Sequence, residues 1–241
     1  MKLYYLLLMG ILSTAFCTAN AQGRQEGSSV QQPGYKEPVR GVWLTNVASK
    51  ALYSKDSLRY AVDLIDRLGF NTIYMVTWNK AMTTYPSTIM EKLTGVRIEP
   101  ELKGRDPLQE LIDYAHSKNI RVLAWFEFGF AASYDEEGGI LLKKKPEWKA
   151  LDKEGKLVKK NQFEWMNCLH PEVQDFMISL IMEVARNYNV DGIQGDDRLP
   201  AMPSSAGYSD YTQKRYKKEH EGQPPPKAHK QFEWVQWRAE K

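Results

Sequence analysis

Four short, almost unbroken apolar runs punctuate the chain, at residues 39–45, 72–77, 121–126 and 192–195. Continuous apolar runs of this length predict strands buried on both faces of a sheet. Between them the apolar positions recur every three or four residues. Leu58, Ala61, Val62, Ile65 and Leu68 form one such stripe, and Gly69 is placed to end that helix. Asp106-Pro107 reads as N-cap and first helical residue, with Gln109 in the capping-box position ahead of Leu111, Ile112 and Ala115. Pro171 opens a third helix with the stripe Val173, Phe176, Met177, Leu180, Ile181 and Val184, and Asn189 is expected to punctuate its end. A last helix is predicted from about 227 to 241.

Strand followed by helix, four times over, means right-handed βαβ units and a parallel sheet, hence the α/β class. The first strand runs into Thr45-Asn46 with no glycine-rich loop, which argues against a dinucleotide site. Four units occupy roughly 200 residues, whereas a complete eight-unit barrel takes about 250. The surplus falls after strands two, three and four, at residues 79–104, 129–169 and 199–226. Loops that follow strands gather at the carboxyl face, where parallel barrels build their sites.

The N-terminal segment obeys different rules. Lys2 precedes a mostly apolar run ending in Ala19-Asn20-Ala21, the pattern of a secretory signal peptide over residues 1–21. Export to the periplasm or the exterior is expected. Lipidation at Cys17 is the alternative, which bulky Phe16 disfavours. Residues 22–38, rich in Gln, Gly, Ser and Pro, read as a flexible linker, so the barrel domain spans 39–241. Beyond the signal only Cys168 remains, so no internal disulfide is expected. A net charge of +3, spread along the chain, argues against a nucleic-acid partner. A mean hydropathy of −0.54 argues against membrane spans in the mature chain. The oligomeric state is left open.

Carboxylates at the carboxyl end of barrel strands read as catalytic by position. The fourth strand ends in Asp196-Asp197-Arg198; alternation turns Gln194 and Asp196 toward the barrel mouth and Asp197 away unless the strand bends. The third ends in Trp125-Phe126-Glu127, where an aromatic setting suits Glu127 to general acid catalysis. Trp43, Asn46, Trp78, Asn79, Tyr85 and Trp125 fall at or just after strand ends, where rings stack on sugars and amides bond hydroxyls, although aromatics also serve as core. Asn167 and His170 precede the third helix; His170 is either a cap or a ligand contact. The four histidines show no paired ligand spacing, so neither a metal nor another cofactor is expected.

Several of these segments together resemble the glycosyl-hydrolase-like 10 family of bacterial (β/α)8 barrels. They are Arg40-Gly41-Val42-Trp43-Leu44-Thr45, Phe70-Asn71-Thr72-Ile73, Tyr85-Pro86-Ser87, Asp106-Pro107-Leu108, Ala124-Trp125-Phe126, Trp165-Met166-Asn167, His170-Pro171-Glu172-Val173 and Asp191-Gly192-Ile193 with Asp196-Asp197, in family order over residues 38–241. The resemblance implies a TIM-type barrel of which about the first four units are present, and an exported glycoside hydrolase with a polysaccharide substrate such as peptidoglycan glycan strands. It matches Asp196-Asp197 to the family's acidic pair. Trp78 and Met82 stand where the family tends to have Arg and Asp, and the family's barrel continues past the last helix seen here, so a truncated chain is expected. Glycoside hydrolysis normally uses two carboxyl groups, and the partner of Asp196 is either Glu127 or a residue beyond Lys241. A non-catalytic glycan-binding module is the main alternative, and a metal-dependent deacetylase a more distant one.

Overall fold

A computed structural model describes residues 38–196, 199 and 201–241. The signal and linker expectations for residues 1–37, and those for Asp197 and Arg198, lie outside the described residues. In chain order come β1 (Gly41–Leu44), α1 (Lys55–Arg67), β2 (Thr72–Asn79), β3 (Met82–Thr83), α2 (Thr88–Thr94), α3 (Pro107–His116), β4 (Arg121–Phe126) and β5 (Ala131–Tyr134). Then follow α4 (Gly139–Lys144), β6 (Lys159–Lys160), β7 (Phe163–Trp165), α5 (Pro171–Asn187), β8 (Gly192–Gly195), α6 (Asp210–Glu219) and α7 (Phe232–Ala239).

The helix ends follow their local chemistry. Ser54 accepts from Ser57 N to start α1, and Gly69, at φ +77°, follows its end. Asp106 accepts from Gln109 N at α3, but the Gln109 amide turns to Asp113, so only half of the expected capping box forms. α5 starts at Pro171 and stops at Asn187, two residues before Asn189.

The parallel strands lie in the order β1-β2-β4-β8, which is also chain order. A doubly wound fold reverses its order at a switch point; this sheet does not. Consecutive right-handed crossovers put the helices on one face and leave the other as the inner face of an arc. Ile73, Met75, Val122, Ala124 and Phe126 are fully buried on the helix side. Trp43, Tyr74, Leu123, Trp125 and Gln194 occupy the inner face, each partly accessible or exposed. Trp43 Nε1 donates to Gln194 Oε1 (2.9 Å), linking the first and last strands across that face. Such a bond requires a curled sheet. The architecture is that of the first four β/α units of a TIM-type barrel.

Two local irregularities aim the site. The β2–β4 register shifts between Val76 and Trp78, so Thr77 is an extra residue in the ladder and its hydroxyl donates to Trp125 O. This bulge inverts the alternation, sending Trp78 to the helix side and Asn79 to the inner side. Immediately after it, Lys80 and Ala81 both adopt left-handed φ (50° and 55°) in the two-residue turn to β3. Turns of this kind favour Asn and Gly, because a side chain on left-handed backbone costs about 1 kcal/mol. Lys80→Asn is therefore expected to raise stability by about 0.5–1 kcal/mol, read as a melting temperature higher by roughly 1–4 °C in thermal denaturation.

All three long connections are structured, the one at 79–104 by β3 and α2. Residues 129–169 carry a three-stranded sheet, β5-β7-β6, with α4 packed on it. Residues 199–226 contain α6, which the polar sequence concealed because only Thr212 and Tyr216 of that helix are buried. The predicted helix at 227–241 is shorter, at Phe232–Ala239. Tyr216, Trp234 and Trp237 pack α6 against α7 in a small aromatic cluster.

Candidate active site

At the carboxyl ends of β2 and β4 the inner-face side chains converge. Asn79 Nδ2 donates to Glu127 Oε2 (2.8 Å) and to Asn46 Oδ1 (3.2 Å). Both partners are acceptors, which fixes the orientation of the Asn79 amide. Its Oδ1 is buried and accepts no hydrogen bond among the described residues. Asn46 Nδ2 in turn donates to Glu99 Oε2 (2.9 Å), and the Tyr53 hydroxyl donates to Glu99 Oε1 (2.7 Å). Burial and the Glu99 carboxylate hold the Tyr53 phenol above its ordinary pKa. Glu127 is 7% exposed, so the Asn79 bond both orients it and offsets part of its desolvation.

The chain turns sharply after Glu127. Phe128 and Gly129 both have left-handed φ, at 59° and 47°. Phe128 lacks glycine's freedom, and strain of this sort concentrates at sites that need a set backbone direction. Here the turn presents Phe128 N to Asp196 Oδ2 (2.9 Å). Asp196 thus bonds the backbone one residue beyond Glu127, across the ends of neighbouring parallel strands.

The structure places Glu127, Asp196, Asn46 and Asn79 at this rim. Trp125 and Trp43 lie on the inner face in successively lower layers, with Trp43 stacked on Tyr74 (4.7 Å, 14°). Three expectations are corrected. Trp78 is fully buried against Phe176, its Nε1 donating to Gly129 O, because the Thr77 bulge turned it outward. Tyr85 is buried between α2 and α5 and donates to Glu183 (3.2 Å). Asn167 is fully buried; its amide donates to Ser209 and Thr212 and its oxygen accepts from Leu169 N, so its bonding is spent on tying α6 to the start of α5. His170 occupies the N-cap position of α5 without a side-chain cap bond and packs on Tyr211 (4.6 Å). Glu99 and Tyr53 were missed, although Glu99 lies in the surplus after strand two expected to build a groove.

A parallel sheet curled as a TIM-type arc, with carboxylates and amides on its carboxyl rim, defines an α/β protein of the TIM-barrel class. The chain belongs to the glycosyl hydrolase-like 10 family, whose profile matches residues 38–241. It is 28% identical over 203 residues to glycosyl hydrolase DigH of Escherichia coli strain K12, covering 73% of this chain and 44% of that protein. Glycosyl hydrolase YngK of Bacillus subtilis strain 168 is 26% identical over 225 residues, covering 83% and 40% respectively. The chain thus spans less than half the length of the curated relatives it matches. Among solved structures, a hypothetical protein from Ruminiclostridium thermocellum ATCC 27405 shares the fold, with a TM-score of 0.55 at 17% identity, over 83% of this chain and 91% of that one.

Proposed function

We propose that the protein hydrolyses O-glycosidic bonds of a polysaccharide outside the cytoplasm, with the glycan strands of peptidoglycan as substrate. The observation that carries this reading is the bond from Phe128 N, the residue after Glu127, to Asp196, which places both acidic residues at the carboxyl ends of β4 and β8. Family membership and the names of the relatives support it, and the signal-like pattern of residues 1–21 supports export. Asp196, held in place by Phe128 N, supplies negative charge beside the anomeric carbon, as nucleophile, as base for water or as electrostatic stabiliser. Glu127 delivers a proton to the departing oxygen. That proton belongs on Oε1, since Asn79 holds Oε2 as an acceptor. Asn46, Asn79 and the inner-face Trp125 orient the sugar. Asp197 and Arg198, expected from the sequence as site residues, lie outside the described residues.

The second reading is a glycan-binding protein without catalysis, favoured by the accessible aromatic inner face, where Trp43 stacks on Tyr74. Incubation with peptide-free glycan strands, followed by chromatography of released sugars, separates the two. Released oligosaccharide supports hydrolysis; saturable binding with no product supports the binding module.

A further inference from the structure

The small sheet β5-β7-β6 ranks its side chains by face. Ser133, Glu164 and Lys159 are cross-strand neighbours, and their polar groups are mutually bonded: Ser133 Oγ donates to Glu164 Oε2 (2.6 Å), and Lys159 Nζ lies 3.7 Å from Glu164 Oε1. Lys159 also pairs with Asp135. Glu164 is buried, so this rank faces inward. The next rank, Tyr134, Phe163 and Lys160, must face the other way. Tyr134 is 43% exposed and packs edge-on to Phe163 (5.0 Å, 78°), its hydroxyl donating to Gln162. Phe163 stacks on Phe128 (4.3 Å, 29°), the residue whose N–H holds Asp196. Lys160 is exposed and forms no ion pair among the described residues. Its two-residue turn to β7, Asn161 and Gln162, has left-handed φ at both positions, fixing the register of the rank.

An aromatic strip therefore runs outward from the acid rim and ends beside a cation. Rings of this kind take the apolar faces of pyranoses, and an ammonium beside them takes a carboxylate. We infer that Phe128, Phe163, Tyr134 and Lys160 form a binding subsite for an extended glycan whose sugars carry carboxylate groups. This rests on the glycan part of the proposed function and not on its catalytic part.

The test is calorimetric binding of two peptide-free hexasaccharides with one β-1,4 backbone: a neutral N-acetylglucosamine hexamer, and one alternating N-acetylglucosamine with N-acetylmuramic acid. The carboxylated hexamer is expected to bind about two- to fivefold more tightly, the difference shrinking as salt rises. Lys160→Ala should abolish that difference while leaving the neutral hexamer's affinity unchanged. Tyr134→Ala should weaken both by about three- to tenfold, and Tyr134→Phe should restore them. Equal affinity for the two hexamers, no effect of Lys160→Ala, or no binding of either overturns the subsite. Binding without turnover leaves it standing and overturns only the hydrolase reading.

Discussion

Asp196→Asn is expected to lower release of oligosaccharide from peptide-free glycan strands by about 10²–10⁴-fold, with the melting temperature within about 2 °C of the parent. The two halves of this expectation have separate causes. The replacement keeps a carbonyl oxygen that accepts from Phe128 N, so the local bond at 2.9 Å survives. What disappears is the negative charge, and with it the nucleophile or stabiliser of positive character at the anomeric carbon. Glu127→Gln should give a loss of comparable size, because the amide accepts from Asn79 but carries no acidic proton. Asn79→Ala should cost less, since it leaves both carboxyl groups in place and loosens only the orientation of Glu127. Activity equal to the parent in Asp196→Asn would remove Asp196 from the chemistry.

The largest effect on stability belongs to a residue far from the rim. Glu183 on α5 is buried and accepts from Ser87 Oγ (2.5 Å), Thr88 Oγ1 (2.6 Å), Thr88 N (2.8 Å), Tyr85 OH (3.2 Å) and Ile89 N (3.3 Å). One carboxylate thus caps the N-terminus of α2 from another helix and satisfies the Tyr85 hydroxyl. Glu183→Ala leaves the buried Ser87 Oγ without this acceptor, the Tyr85 hydroxyl with only Leu180 O at 3.4 Å and the start of α2 uncapped, and is expected to cost about 3–5 kcal/mol, a fall in melting temperature of roughly 6–20 °C. Burial alone would raise the Glu183 pKa; the bonds from Ser87, Thr88 and Ile89 outweigh it and bring the value below 4.5. A carboxylate whose folded pKa is depressed stabilises fully above its unfolded value and loses that contribution as pH falls through the folded one. Stability should therefore decline with acidification below about pH 4.5, and Glu183→Gln should flatten that decline. Glu219, drawn down to about 2 by Lys241, Trp237 and Arg215, adds to the same acid limb and persists to lower pH.

The sheet was legible because its signal is local and strong: β4 and β8 fall on the expected residues, with β1 and β2 within two residues of theirs. Asp196 could be placed at the rim by strand alternation, and Glu127 by its position at the end of the third strand. The same rule failed at Trp78, because one extra residue at Thr77 reverses every later side chain and nothing in Thr72–Asn79 announces a bulge. Tyr85 and Asn167 were misread for another reason. Their polar groups are spent on partners far along the chain, Glu183 for one and Ser209 with Thr212 for the other, and periodicity carries no record of such pairings. Glu99 reaches the rim through a two-strand turn whose left-handed residues, Lys80 and Ala81, are not the types that usually mark one. The sheet in 129–169 was hidden by strands of two to four residues, too short to show alternation.

The most direct measurement is the crystal structure of the Asp196→Asn variant soaked with a peptide-free hexasaccharide. The predicted result is a glycosidic bond lying between Glu127 and position 196, with the chain of sugars leading away over Phe163 and Tyr134. Sugar found only lower on the inner face against Trp43, or none within hydrogen-bond reach of Glu127, would contradict a carboxylate site at this rim.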